Sequence, residues 1–426
     1  MAPELLELSG DADTLAAELR SLVPDGASVA EAVAEIIARV RAGGDAAVRD
    51  YTRRFDSGGA EPGPLVVAGV ELDAAVERLD PSVRRGLELA AENVGRVAEA
   101  GLTADSVVAL DGGGHARWEV ALRGVPVGRA AVCVPGGQAP YPSSVIMGVV
   151  TARVAGVAEI AVCSPPSAHG DIHPVILAAC RLAGATVVYR MGGAHGVAAL
   201  AYGTESVAGV DVIVGPGGLY VQEAKRQVFG KVGIDGFAGP SDLVVIADGT
   251  ADAELVALDL LAQGEHGPGT LVVAVSDSRE LLRAIGELMS RSPDTGAIRR
   301  LVAVEDLDHG LALTEAIAPE HLELVGPGAE ALAAQVARAG CLFVGVAGGV
   351  AFGDYIAGSN HVLPTGGAAR YASSLSPANF RRRFSEVRIG GAAEPLARAA
   401  APVARAEGFE LHARSMEARF RQNGDS

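Results

Sequence analysis

From about Val125 onward the chain alternates short β-branched runs with amphipathic stretches, and no other feature constrains the fold as strongly. AAVCV is followed by SSVIMGVVTARVAG, EIAVCS by PVILAACRLAGA, TVVYRM by a short helix through VAALAYG, and DVIVG by YVQEAKRQVFG. The pattern resumes with DLVVIAD and AELVALDLLAQ, then TLVVAVS and SRELLRAIGELMS, then LVAVEDL, a helix near GLALTEAIA, and CLFVG. Strands separated by helices at this spacing build βαβ units, because parallel pairing needs a crossover of a dozen or more residues. Two α/β blocks with mostly parallel sheets are expected.

The flanks differ. The first 105 or so residues read as helical: Ser28 is placed to cap VAEAVAEIIARVRA, which Gly43 and Gly44 should stop, and Asp80-Pro81 reads as an N-cap and first-turn proline. Residues 348–367 read as a long Gly-rich loop, and PLARAAAPVARAEGFELHARSMEARF as a helical tail. At 426 residues the chain exceeds one ordinary core. Aromatics at 4% against 55 glycines favour α/β layers over a sandwich built on large rings.

Charge and cysteine usage narrow the partners. A net charge of -17 speaks against nucleic acid or an anionic membrane, which both require a basic face. Cys133, Cys163, Cys180 and Cys341 form no CxxC pair and read as free thiols of a reducing compartment. The acidic start MAPELLELSGDADTL lacks the basic region of a signal peptide, and no apolar run approaches the ~20 residues of a membrane span. A cytoplasmic location is expected.

Nine histidines are few enough to weigh singly. His115, His169, His173 and His309 sit among Gly, Asp and Pro and read as surface residues. Gln263 and His266, three apart at the end of an apolar-periodic helix, share a face and form a candidate metal half-site, or a helix end satisfied by water. Glu320 and His321 in APEHLEL place an acid beside an imidazole, suited to proton transfer, or an exposed pair on an ordinary helix. GDYIAGSNHVLPTGG carries Asp354, a hard oxygen ligand, and His361, within an irregular segment whose length points to function. Glu407 and His412 read on their own as helix surface. VPGGQAP and VGPGG follow strands, where backbone amides can hold phosphate, but neither is a GxGxxG opening a helix.

Taken together and in order over residues 124–376, these segments resemble the histidinol dehydrogenase family; GGAHGVAALAYGTESV, VGIDGFAGPSDLVVIAD and the tail AEGFELHA add to the match. The resemblance implies two incomplete Rossmann-like α/β domains of aldehyde-dehydrogenase type with a helical N-terminal segment and a helical tail. The division would be 1–24; 25–125 with 242–375; 126–241; and 376–426, the tail crossing to a partner subunit in a homodimer. It further implies a zinc ion held by Gln263, His266, Asp354 and the partner's His412. Glu320 and His321 would be the catalytic acid–base pair. Substrate contacts are implied for Ser241, Gln263, His266, His321, Asp354, His361, Glu407 and His412. The implied reaction oxidises L-histidinol to L-histidine through the aldehyde, with two NAD in turn, in histidine biosynthesis.

On the cofactor side the family often has Tyr where this chain has Cys133, Gln where it has His195, and Asn where it has Gly218, so no residue is assigned to NAD. The alternatives are a relative oxidising another small polyol or sulfonated diol with the same machinery, a zinc hydrolase using Glu320, and a non-catalytic binder.

Overall fold

The computed structural model describes residues 3–8, 10–24, 29–112, 116–136, 139–237 and 239–421; Ser28 and His115 lie outside them, as do two residues of VPGGQAP, Gly137 and Gln138. The chain forms two compact units, Met1–Gly101 with Val127–Phe380, and Leu102–Pro126 with Arg381–Ser426.

The first unit holds two wholly parallel sheets. One has the order β1 (Glu4–Glu7), β11 (Ile298–Ala303), β10 (Leu271–Ser276), β9 (Asp242–Ala247), β12 (His321–Val325) and β13 (Cys341–Val344). The other runs β6 (Val187–Arg190), β5 (Glu159–Ser164), β4 (Arg129–Cys133), β7 (Val212–Val214) and β8 (Gly233–Ile234). Central strands such as LVVIA and LVVAVS are buried on both faces, which explains their unbroken apolar runs.

Helices cover both faces of each sheet. On the six-stranded sheet α1 (Ala12–Ser21) and α11 (Leu307–Ile317) pack on one side, and α9 (Ala253–Gly264) and α10 (Arg279–Ser290) on the other. On the five-stranded sheet one face carries α3 (Gly69–Glu77), α4 (Pro81–Ala100), α5 (Pro142–Val154) and α6 (Pro174–Ala183). The opposite face carries α2 (Ala30–Tyr51), α7 (Gly193–Tyr202) and α8 (Leu219–Val228). Residues 29–101 thus pack with 126–241, whereas the sequence grouped 25–125 with 242–375. Two short helices, α12 (Pro327–Glu330) and α13 (Val350–Tyr355), follow β12 and β13.

Asp80 caps α4 as expected, accepting from the backbone N–H groups of Ser82 and Val83. Other expectations are corrected. The helical N-terminal region also supplies β1, the edge strand, whose apolar LL pairs with β11. Gly44 (φ 52°) breaks α2, but the helix resumes and runs on to Tyr51. The 348–367 segment contains α13, so it is not a continuous loop.

The second unit has an antiparallel sheet that the sequence did not announce: β2 (Ser106–Asp111), β3 (Arg117–Pro126) and β14 (Arg381–Arg388) in the order β14-β3-β2. The 376–426 tail is therefore not wholly helical. Its helices are α14 (Ala393–Ala406) and α15 (Glu410–Arg421), separated at Gly408 (φ 84°). Among the described residues no helix is long and apolar enough to cross a membrane.

Candidate active site

The expected polar residues of the first unit converge at the N-terminal ends of β9 and β12, beside the C-terminal end of α9. Ser241 and Asp242 open β9, Glu320 and His321 open β12, and β9 and β12 pair with His321 opposite Leu243. APEHLEL is thus a buried strand entry, not a helix with an exposed polar pair.

Hydrogen bonds tie the cluster together. Ser241 Oγ donates to Glu320 Oε2, and the Asp242 backbone N–H donates to the same oxygen at 3.1 Å. The Gln263 amide nitrogen donates to Ser241 Oγ at 2.6 Å and lies 3.4 Å from His321 Nδ1. On the other edge of that ring, Nε2 lies 3.7 Å from Asp354 Oδ1, and Phe343 of β13 packs beside the ring at 6.1 Å between centroids. His361 Nδ1 lies 2.9 Å from the backbone oxygen of Asp354, and its Nε2 lies 3.2 Å from Ser144 Oγ on α5. A helix packed on the five-stranded sheet thereby meets a loop that follows the six-stranded one.

Burial divides the ionisable groups into distinct roles. The Glu320 carboxyl is pushed up to about 8, first by burial and then by the neighbouring Asp242 carboxylate. Burial holds the His321 imidazole below its ordinary value, against the opposing pull of Asp354 and Asp242. Burial also takes His361 down to about 4, and it raises Asp354. A carboxyl poised near neutrality beside an imidazole kept neutral is an arrangement for moving protons.

The structure brings together Ser241, Gln263, His266, Glu320, His321, Asp354 and His361, all within the first unit. Gln263 is buried in the last turn of α9, while His266 follows the helix and is exposed. Glu407 and His412 belong to the second unit, both exposed; Glu407 ends α14 and His412 lies on α15, so the single helix expected to carry them is interrupted. His169 and His173 are exposed as expected, and His173 caps α6 by accepting from the Val175 N–H. His309 is also exposed, on α11.

Sequence reasoning missed Asp242 as the partner of the Glu320 backbone, and Asp259 and Glu323 behind the site. The available signal was a charged residue inside or at the head of an otherwise apolar strand, DLVVIA and HLELV, where burial demands a partner.

Comparisons with known proteins give the family. The sequence profile of the family described as histidinol dehydrogenase matches residues 22–420. A histidinol dehydrogenase of Ruegeria pomeroyi is 42% identical over 413 residues, covering 94% of each chain. One from Cereibacter sphaeroides is 43% identical over 408 residues, covering 93% of each. The crystal structure of histidinol dehydrogenase from Elizabethkingia anophelis superposes with a TM-score of 0.91 at 27% identity, covering 99% of both chains. This chain belongs to the histidinol dehydrogenase family. It is an enzyme, a dehydrogenase of that type.

Within this histidinol dehydrogenase family member, the donor set can be tested against a metal. Among the described residues no three His, Cys, Asp or Glu side chains gather as a metal group. His266 and Asp354 supply two such donors and Gln263 an amide. His266 Nδ1 lies 3.0 Å from the Gln263 backbone oxygen, which assigns its proton there and leaves Nε2 as a lone pair. Asp354 is a half-buried carboxylate facing two imidazoles. Mixed N/O donors with one tautomer fixed by a backbone carbonyl fit zinc as a partial ligand set.

Three positions set apart on the cofactor side are also placed. Cys133 is buried at the end of β4, its Sγ 3.5 Å from Cys163 Sγ. His195, 1% exposed, lies 3.2 Å from both Asp56 Oδ2 and Thr52 Oγ1. Gly218 caps α8, and a β-carbon there would meet nothing within 4 Å. The chain leaves β4 and β7 side by side because those strands pair, and a side chain at Gly215 (φ 110°) would strike the Cys133 carbonyl.

Proposed function

We propose that this chain is a cytoplasmic, zinc-dependent, NAD-linked enzyme that oxidises L-histidinol to L-histidine through the aldehyde in two hydride transfers. The observation that carries the reading is the buried Glu320–His321 pair beside Gln263, His266 and Asp354.

Gln263, His266 and Asp354 would hold the zinc ion, with His412 of the partner subunit completing the set in a homodimer. Bound zinc supplies Lewis acidity and orients the amino alcohol. His321 takes the substrate hydroxyl proton at Nε2; burial keeps the imidazole neutral and so able to accept it. Glu320, with its proton affinity raised, deprotonates the water that hydrates the aldehyde, and Ser241 fixes the carboxyl while it does so. Ser241 and His361 would contact the substrate's polar ends, as would Glu407. A closed site would keep the aldehyde from escaping.

The five-stranded sheet supports a dinucleotide reading. Its order turns about β4, with β5 and β6 on one side and β7 and β8 on the other, and two Gly turns lie at the carboxyl ends of β4 and β7. Such a switch point in a Rossmann-like sheet is where nucleotides bind. NAD bound there would accept hydride.

Purified chain given L-histidinol and NAD should form two NADH per histidinol consumed, and metal stripping should abolish this. Glu320→Gln should cut turnover by about 10²–10⁴-fold. No NADH from histidinol, or full turnover after complete removal of metal, would sink the proposal.

A further inference from the structure

Arg20 lies in the last turn of α1, a helix outside the chemistry described so far, yet its guanidinium reaches the base of the site. Nη1 donates to Asp242 Oδ2 at 2.6 Å. Nε and Nη2 donate to the Ile317 carbonyl at 3.1 and 2.6 Å, and Nη2 also to the Ala318 carbonyl at 3.2 Å. The second Asp242 oxygen, Oδ1, accepts from the Glu320 backbone N–H at 2.7 Å, while the Asp242 N–H donates back to Glu320 Oε2 at 3.1 Å. Asp242 is 1% exposed, and Arg20 is a cation that meets its carboxylate.

The turn that Arg20 grips is itself unusual. Ala318, two residues before Glu320, has φ 50°, alone among the described non-glycine residues in the left-handed region. One planar fork therefore holds the head of β9 and the strained turn into β12 in a single geometry. An ammonium is a point donor and cannot reproduce that span.

We propose that Arg20 is a positioning residue for Glu320, acting through Asp242 and the 317–318 turn to fix the Glu320 carboxyl against Ser241. This rests on the reading of Glu320 as the proton-handling carboxyl. The N-terminal helix is then part of the catalytic apparatus rather than only a cover for the sheet.

The test compares Arg20→Met, Arg20→Lys, Asp242→Asn, the Arg20→Met/Asp242→Asn double variant and Glu320→Gln in the full chain, loaded with zinc. Arg20→Met should lower kcat about 10- to 100-fold with KM for histidinol little changed, and Arg20→Lys should recover part of the loss. The pH profile separates positioning from a smaller folded fraction. Glu320 is faced by Asp242 and Ser241 from β9, by His321 on its own strand and by His266 beyond α9, with Arg20 behind Asp242. Without the guanidinium the Asp242 charge is uncompensated, so the acid limb of kcat moves to higher pH; a smaller folded fraction rescales the curve without moving it.

Should Arg20→Met fold poorly, the double variant decides, since it leaves no unpaired buried carboxylate. It should remain at least about tenfold slow, and no slower than the worse single variant, as two parts of one unit. A folded Arg20→Met enzyme within twofold of the parent kcat, or single losses that multiply in the double, would overturn the inference. If Glu320→Gln also turns over normally, the Glu320 reading itself fails; if it is inactive while Arg20→Met is normal, only the role of Arg20 falls.

Discussion

Glu323 and Asp259 form an interacting carboxyl pair behind the proposed site: Glu323 stands two residues beyond His321 on β12, and Asp259 one turn before Gln263 on α9. Two interacting carboxyl groups, one buried and one half-buried, disfavour each other's ionisation. Burial, and then the Asp259 charge, push Glu323 up to about 9.

A pH dependence of stability follows. The folded chain holds the Glu323 proton more tightly than the unfolded one, so it binds more protons between about pH 4.5 and 9. The contribution is whole below about 4.5 and is lost progressively as pH rises to about 9. Glu323→Gln keeps a donor to Asp259 and cannot ionise. Its stability should hold across that window and exceed the parent's by at least about 1 kcal/mol at pH 8–9. Urea unfolding of both proteins at several pH values reads this, and parallel pH curves would refute it.

Packing of the five-stranded sheet gives a second expectation. Gly148 lies in the buried middle of α5, where an added β-carbon would come within 2.5 Å of Val132 Cγ1 on β4. Helix propensity favours Ala over Gly by about 1 kcal/mol, but overpacking a closed contact costs about 1–3 kcal/mol. Gly148→Ala should therefore destabilise the chain despite its better propensity. An unchanged or raised unfolding midpoint would show that α5 can shift off β4.

Metal content tests the donor set apart from turnover. His266→Ala and Asp354→Asn should each lower the zinc retained after dialysis by at least about tenfold, as loss of a ligand does at sites of few donors. Ser241→Ala should retain zinc. Elemental analysis of the purified variants decides this, and full zinc retention in His266→Ala would remove that imidazole from the set.

How much of this was legible in the sequence depends on whether the signal was local. The helices and parallel strands were readable, because βαβ periodicity is written in consecutive residues; so was the Asp80 cap. β12 was not, since HLELV carries a buried glutamate that spoils the apolar run, and its partner Asp259 lies more than sixty positions away. β2, β3 and β14 escaped for a related reason: RRRFSEVR pairs with RWEVALRGVP across some 250 residues, and both are largely solvated. Gln263 and Glu320 looked ordinary singly, and their meaning came from the resemblance, whereas Asp354 stood out through the irregular segment that carries it. Arg20 carried no signal, because its role exists only once Asp242 and the 317–318 turn are folded beneath it.

Gly218 opens the last argument, because one substitution there probes both helix capping and the cofactor. Its backbone, φ -68° and ψ 179°, suits any residue, and the space around a β-carbon is open. The loop before it is already rigid: Lys225 Nζ donates to the Gly215 carbonyl at 3.1 Å, and Asp235 accepts from the Gly215 N–H at 2.6 Å. Asn is a better N-cap than Gly by a few tenths of a kcal/mol, because its side chain accepts from the first free N–H groups of the helix. Gly218→Asn should raise the unfolding midpoint slightly and leave kcat intact. If NAD lies along the two Gly turns, the added amide should also lower KM for NAD by about three- to tenfold, the worth of one hydrogen bond. A variant stabilised as expected but unchanged in KM would place the nucleotide away from the mouth of β7, and would leave the empty position at 218 a matter of helix capping alone.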